Sequence, residues 1–80
     1  MWTIVWSERA IDDLERLDRK LRARINASVE RFASTGHGDV KILKGSEEYR
    51  LRVGSWRVRF STKGNTMTIT RVLPRGSAYR

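Results

Sequence analysis

Eight cations and no carboxylate lie in the last 32 residues of the chain. They are Arg50, Arg52, Arg57, Arg59, Lys63, Arg71, Arg75 and Arg80. Residues 1–48 carry nine cations and nine carboxylates, so the net charge of +8 belongs to the C-terminal stretch. A cluster of guanidinium groups of one sign attracts polyanions, and Tyr49, Trp56 and Tyr79 are able to stack on bases. The chemistry that these residues offer is cation chemistry on a phosphate.

Alternation of residue types predicts that four of these arginines share one face of a sheet. Residues 49–53 and 56–60 alternate, and a turn at residues 54–55 separates them. The side chains predicted to face the core are Leu51, Val53, Trp56, Val58 and Phe60. Those on the opposite face are Arg50, Arg52, Arg57 and Arg59. Because this stretch offers no carboxylate to neutralise them, an anionic partner is favoured over a merely solvated surface.

A third strand is predicted after the turn signal at residues 63–65. Its predicted core residues are Met67 and Ile69. The residues predicted to lie beside the arginines are Thr68, Thr70 and Val72.

The first 48 residues predict a strand followed by a helical hairpin. Residues 2–6 are aromatic and β-branched, and Ser7 and Asp18 are predicted to cap two helices. The apolar stripe of the second helix consists of Leu21, Ile25, Val29 and Phe32. Residues 39–45 predict a short extra strand or an approach loop. The predicted fold is a single α+β domain, residues 1–80, of order β-α-α-β-β-β, with the hairpin on one face of a small antiparallel sheet.

Composition excludes several classes of function. The chain has no cysteine, so disulfides and thiolate metal sites are ruled out. His37, the single imidazole, stands between two glycines, where a surface role is favoured over metal ligation. No apolar run approaches the roughly 18 residues of a membrane span, and no secretion signal is recognisable. We therefore expect a cytoplasmic protein with no membrane contact and no cofactor.

The same residue types suit cleavage of RNA. RNA carries a 2′-OH beside each phosphodiester, and an enzyme that holds this hydroxyl in line needs no metal if cations stabilise the transition state. The suitable residues are Arg50, Arg52, Arg57 and Arg75, with Tyr79 close by. Basic sheets that only bind nucleic acid have the same composition, so composition alone leaves binding and cleavage both open.

Four segments, in this order and spacing, resemble the RelE/ParE superfamily of bacterial toxins from type II toxin–antitoxin systems, and the RelE branch in particular. They are KILKG at 41–45, YRLRVG at 49–54, WRV at 56–58 and RVLPRGSAYR at 71–80, in which an arginine stands four residues before a tyrosine. The resemblance covers nearly the whole chain. It implies a curved RelE-like sheet and metal-independent cleavage of mRNA in the ribosomal A site by 2′-OH attack.

The resemblance also implies roles for individual residues. Arg50 and Arg52 fall where relatives place catalytic basic residues, and Arg57 matches an arginine that stabilises the phosphate. Arg75 matches the general acid or leaving-group stabiliser, and Tyr79 matches the tyrosine that stacks on or orients the substrate. Further residues predicted to contact RNA are Arg59, Arg71, Arg80 and Lys44.

Two positions depart from the family pattern. Relatives often have lysine where this chain has Arg50 and Arg52, and arginine effectively cannot lose its proton. Both are therefore predicted to act through electrostatics, and the acceptor of the 2′-OH proton stays open. Pro74 stands where many relatives have histidine, so it is predicted to fix the loop that aims Arg75.

The resemblance implies three kinds of partner. A RelB-like cognate antitoxin is expected to cover the basic face with an acidic segment, the ribosome and mRNA are the expected targets, and DNA is reached only through the antitoxin complex. One alternative is a ParE-like gyrase inhibitor without nuclease activity. Another is a non-catalytic nucleic-acid-binding module, which would show salt-dependent binding without cleavage.

Overall fold

The computed structural model describes residues 1–43, 45 and 47–75. Three predicted site residues, Lys44, Tyr79 and Arg80, lie outside the described residues. The elements are β1 (Thr3–Trp6), α1 (Glu8–Glu15), α2 (Arg19–Thr35), β2 (Asp39–Ile42), β3 (Tyr49–Val53), β4 (Trp56–Lys63) and β5 (Thr66–Pro74). Neither of the described helices has the length and apolar character needed to cross a membrane.

Both helices begin at the residues that the sequence predicts. The Ser7 hydroxyl accepts the Ala10 N–H at 3.1 Å, and Asp18 Oδ1 accepts the Leu21 N–H at 2.8 Å. Each cap satisfies one of the N–H groups that the first turn of a helix leaves without a partner. Gly36 ends α2 in the left-handed region, with φ +77°, and donates its N–H to the Phe32 carbonyl.

The five strands form one mixed sheet of order β1-β5-β4-β3-β2. The predicted α+β architecture is confirmed, with β2 as the additional strand; β1 pairs in parallel with β5, and the remaining pairs are antiparallel. The two helices pack on this sheet, and the core lies between the layers. Its largest fully buried side chains are Ile25, Val29, Leu51, Val58, Phe60, Met67 and Ile69.

A β-bulge in β5 changes which side chains face the core. Arg59 of β4 pairs with Arg71, whereas the next residue, Phe60, pairs with Ile69, so Thr70 is the extra residue. The Thr70 hydroxyl donates to the Arg59 carbonyl at 3.2 Å. The prediction that Val72 lies beside the arginines is therefore wrong: Val72 is 2% exposed in the core, and Arg71 takes the outer face instead.

Candidate nucleic-acid interface

Three adjacent strands bring five arginines onto one side of the sheet. Arg50 lies directly opposite Arg59, and Arg52 lies directly opposite Arg57, in the β3–β4 pair. Arg59 in turn lies opposite Arg71 of β5. Because cross-strand partners point to the same side, these five side chains share one surface, here called the arginine face. The structure thus brings together four of the arginines predicted from alternation and adds Arg71.

Two members of the arginine face are almost completely buried. Arg50 and Arg57 are each 6% exposed, whereas the side chain of Arg52 is 53% exposed. The Nε atoms of Arg50, Arg57 and Arg59 are buried and have no hydrogen-bond partner among the described residues. An unpaired buried donor costs roughly 1–3 kcal/mol, and more when it is charged. Burying these three donors without a partner therefore costs the folded protein free energy.

The carboxylates of Asp39 and Glu48 lie close to the arginine face. Asp39 on β2 has its two oxygens 3.8 Å from Nη1 of Arg50 and Nη1 of Arg52. Glu48 Oε1, just before β3, lies 2.7 Å from Arg59 Nη2. The expectation that no carboxylate is near is wrong, because a count along residues 49–80 misses neighbours that the fold supplies. The 3.8 Å separations exceed hydrogen-bond length, so Asp39 neutralises its arginines only weakly.

Asp13 on α1 holds Arg71 firmly. Asp13 Oδ2 accepts from Arg71 Nε at 2.9 Å and from the Val72 N–H at 2.8 Å, and Oδ1 accepts from Arg71 Nη2 at 3.2 Å. Burial raises the pKa of Asp13, but the hydrogen bonds from Arg71 and Val72 outweigh it, so that pKa lies below its usual value. The hydrogen bond to Asp13 in turn raises the pKa of Arg71 above its usual value.

The contact with Asp13 gives Arg71 a structural role. Arg71 is also one of the residues that the sequence predicts to bind RNA. Its guanidinium joins α1 to β5 at the point where β1 no longer borders β5, and Asp13 satisfies a backbone donor there. Asp13 is not among the site residues predicted from the sequence. The available signal was its spacing, because a carboxylate three residues after Ala10 lies on the buried side of α1.

The turn between β3 and β4 aims two of the arginines. The Gly54 carbonyl accepts from Arg57 Nη1 at 3.4 Å and is 3.5 Å from Arg52 Nε. Gly54 has φ +59°, and a Cβ at this position would lie 2.9 Å from Nη2 of Arg24 on α2. Glycine is thus favoured by its backbone conformation, whereas the tip of the exposed Arg24 side chain can move away from an added Cβ.

Replacing Gly54 by alanine is expected to lower the free energy of unfolding by about 1–2 kcal/mol, because alanine resists the left-handed conformation. For a domain of this size the thermal midpoint should fall by about 5–15 °C. A thermal melt followed by circular dichroism measures the shift. Gly64→Ala is the matched control, because its φ is also +59° but nothing lies within 4 Å of an added Cβ. Equal losses in both variants would show that the Arg24 contact adds nothing.

Arg75 lies at the same end of the sheet as this turn. Its N–H donates to the Ser55 carbonyl at 2.8 Å, and Pro74 lies opposite Trp56 at the end of β5. This backbone hydrogen bond places Arg75 beside the turn that carries the Gly54 carbonyl. Arg75 is exposed. The role of Pro74 in aiming the Arg75 side chain stays a prediction.

A cleft of about 570 Å³ opens where the arginine face meets the start of α1. Its lining residues are Ser7, Glu8, Arg9, Glu48, Arg59, Thr70 and Arg71. Within residues 1–43, 45 and 47–75, no group of three or more His, Cys, Asp or Glu side chains is placed to hold a metal ion. The polar groups that converge here are three cations, two carboxylates and two hydroxyls.

Comparison with known proteins identifies the family. Residues 4–79 match the family described as the ParE toxin of type II toxin–antitoxin system, parDE. The chain belongs to this family. The toxin is 29% identical to Toxin RelE3 of Methanocaldococcus jannaschii over 82 residues, which cover 95% of this chain and 93% of the relative. The resemblance to the RelE/ParE superfamily is thereby confirmed.

Solved structures share the fold of the toxin. The RelB–RelE antitoxin–toxin complex from Methanococcus jannaschii contains a chain that is 29% identical, with a TM-score of 0.76 and 94% of both chains covered. A chain of the chromosomal ParDE system from P. aeruginosa has a TM-score of 0.77 at 16% identity, covering 94% of this chain and 97% of its own. Since both a RelE complex and a ParDE complex contain this fold, the fold alone does not distinguish the RelE branch from the ParE branch.

Proposed function

We propose that this toxin is a ribosome-dependent endoribonuclease that cuts mRNA in the A site by metal-independent attack of the 2′-OH. The observation that carries the proposal is the burial of Arg50 and Arg57, whose Nε donors have no partner among the described residues. Buried charged donors are normally paired, so these two arginines support an anion as the partner of the arginine face.

The facing arginines support a phosphate as that anion. Arg50 and Arg59 are directly opposed across β3 and β4, as are Arg52 and Arg57, and like charges in such positions destabilise a sheet. The two non-bridging oxygens of a phosphodiester match the planar fork of a guanidinium group, which donates two parallel hydrogen bonds to them. The energetic cost of assembling the face is thus repaid when a phosphodiester binds.

In this proposal the arginines divide the work by their position. Arg50 and Arg57, fixed by burial, stabilise the charge that develops on the phosphorus oxygens in the transition state. Arg52 is half-exposed and guides the RNA backbone onto the face. Arg75, beside the β3–β4 turn, stabilises the leaving 5′-oxygen, and Tyr79 orients the neighbouring base.

Mapping of cuts on programmed ribosomes tests the proposal. Purified toxin added to ribosomes stalled on a defined mRNA is expected to produce one primer-extension stop within the A-site codon. The decisive substrate carries a single 2′-deoxynucleotide on the 5′ side of the cut, which removes the nucleophile and should abolish cleavage at that bond. The all-ribose mRNA is the control. Cuts that persist beside the deoxynucleotide would rule out 2′-OH attack.

A cognate antitoxin is the proposed regulator, and the basic face is its proposed docking surface. The relatives from the Methanococcus complex occur with RelB. An acidic antitoxin segment laid on the arginine face would associate fast and in a salt-dependent manner with a protein of net charge +8. Contact with DNA would then come through the antitoxin, and the toxin would act in the cytoplasm, where ribosomes translate.

Gyrase inhibition is the second candidate function, because the matching family is described as ParE toxin and the ParDE fold is similar. It predicts that the toxin blocks DNA supercoiling by purified gyrase and leaves mRNA intact on ribosomes. A supercoiling assay run beside the ribosome assay separates the two functions.

A further inference from the structure

The turn between β3 and β4 gathers arginines from both layers of the fold. On the sheet side, the Gly54 carbonyl accepts from Arg57 Nη1 at 3.4 Å and lies 3.5 Å from Arg52 Nε. On the helix side, the guanidinium of Arg24 covers the Cα of the same glycine, with Nη2 2.9 Å and Cζ 3.2 Å from the position that a Cβ would take. Three guanidinium groups therefore surround one residue at the rim of the sheet.

The charge of Arg24 has no partner among the described residues. No ion pair or hydrogen bond joins its guanidinium to another residue of that part of the chain. The positions three and four residues away on α2, which lie on the same side of the helix, hold no carboxylate; they are Lys20, Leu21, Ala27 and Ser28. Because the other guanidinium groups of the turn repel this charge, an anion is favoured at the rim as it is on the arginine face.

We infer that Arg24 binds the RNA phosphate that follows the scissile phosphate on its 3′ side. The inference rests on the proposed nuclease function and deepens it, because it adds a binding residue from α2 and gives the RNA strand a direction on the protein. In the proposed reaction Arg75, whose N–H donates to the Ser55 carbonyl in this turn, stabilises the leaving 5′-oxygen. The nucleotide that carries this oxygen lies on the 3′ side of the cut, so its own 3′-phosphate is the next anion beyond the turn.

Arg24 is suited to a flanking phosphate rather than to the reacting one. Arg50 and Arg57 are each 6% exposed, and their burial fixes them where charge develops in the reaction. Arg24 is exposed, so water screens its attraction to a phosphate, and the contact is worth about a fivefold change in affinity, the upper end for exposed ion pairs. The contact is the same before and during the chemical step. It therefore lowers the toxin concentration needed for half-maximal cleavage and leaves the maximal rate unchanged.

A single neutral linkage in the mRNA tests this assignment. In single-turnover cleavage on programmed ribosomes, a methylphosphonate replaces the phosphate on the 3′ side of the cut and removes one negative charge. For the unaltered toxin, we expect the half-maximal toxin concentration to rise about fivefold at an unchanged maximal rate. Arg24→Ala should cause the same rise on the all-phosphate mRNA. The neutral linkage should add nothing further in that variant, because the two changes remove the same contact.

The controls separate this contact from general electrostatic attraction. Arg22→Ala removes the same charge from α2, but a residue two positions away points to a different side of the helix. This variant should keep both kinetic parameters and should respond to the neutral linkage as the unaltered toxin does. A methylphosphonate on the 5′ side of the cut should change the half-maximal concentration by the same factor in the unaltered toxin and in Arg24→Ala. Arg24→Lys keeps the charge without the planar fork and should retain part of the affinity.

Three outcomes would overturn the inference. Losses from Arg24→Ala and from the 3′ neutral linkage that multiply when combined would show that Arg24 does not contact that phosphate. An unchanged half-maximal concentration in Arg24→Ala would show that it contacts no phosphate of the mRNA. A lower maximal rate on every substrate, together with a lower thermal midpoint, would make Arg24 a structural residue. If the unaltered toxin makes no cuts at all, the proposed function fails and the inference fails with it, a result that is evident before any variant is compared.

Discussion

Replacing Arg57 by alanine is expected to slow mRNA cleavage on the ribosome by about 100- to 1,000-fold, the range typical of losing one preorganised donor to a developing oxyanion. Arg57 is held by the Gly54 and Trp56 carbonyls through Nη1, at 3.4 and 3.2 Å, while its buried Nε has no hydrogen-bond partner among the described residues. A positively charged donor fixed in this way needs little reorganisation during the reaction, so little free energy is lost in reorienting it. Single-turnover rates at saturating toxin measure the effect.

The controls for Arg57 separate catalysis from charge and from folding. Arg57→Lys keeps the positive charge but loses the planar fork, so we expect an intermediate rate. Arg22→Ala removes one exposed charge on α2 that forms no ion pair or hydrogen bond with the arginine face among the described residues, and it should leave the rate unchanged. An Arg57→Ala toxin that melts normally and still cleaves at the full rate would contradict the proposed role of the buried arginines.

Replacing Asp13 by alanine is expected to give the largest loss of stability, about 2–4 kcal/mol in the free energy of unfolding. The change leaves Arg71 without its partner and the buried Val72 N–H without its acceptor. For 80 residues this corresponds to a fall of about 10–25 °C in the thermal midpoint. Chemical denaturation by urea measures the free energy directly. Asp12→Ala, the exposed neighbouring residue on α1, is the control and should change stability little.

The contribution of Asp13 should depend on pH in a defined direction. Its pKa in the folded protein is lower than in the unfolded chain, so folding favours the ionised carboxylate. This contribution is complete above the ordinary aspartate pKa of about 3.9 and disappears as the pH falls through the lower, folded value. The stability difference between the toxin and Asp13→Asn should therefore narrow on acidification from neutral pH. A difference that stays constant or widens would contradict this assignment.

Local rules predicted much of this fold and of the arginine face. Ser7 and Asp18 precede the two helices, as predicted, because capping depends on residues within one turn. The placement of four arginines on one surface followed from strand alternation, which also depends on neighbours alone. Both results needed no knowledge of long-range contacts.

The remaining features depend on contacts between distant parts of the chain. The bulge at Thr70 reverses the alternation, so it moved Val72 into the core and Arg71 onto the outer face. Asp13 meets Arg71 across 58 residues of sequence, and the carboxylates of Asp39 and Glu48 approach the arginines only through the sheet. No periodicity within a short window reports such neighbours.

The parallel pairing of β1 with β5 has a consequence for biosynthesis. Thr3 pairs with Thr66, so β1 has no neighbouring strand in the sheet until β5 has been made, and β5 also carries Arg71 of the arginine face. Contacts between such distant segments form late and slowly in folding. The arginine face is therefore complete only after β5 has been synthesised and has paired with β4.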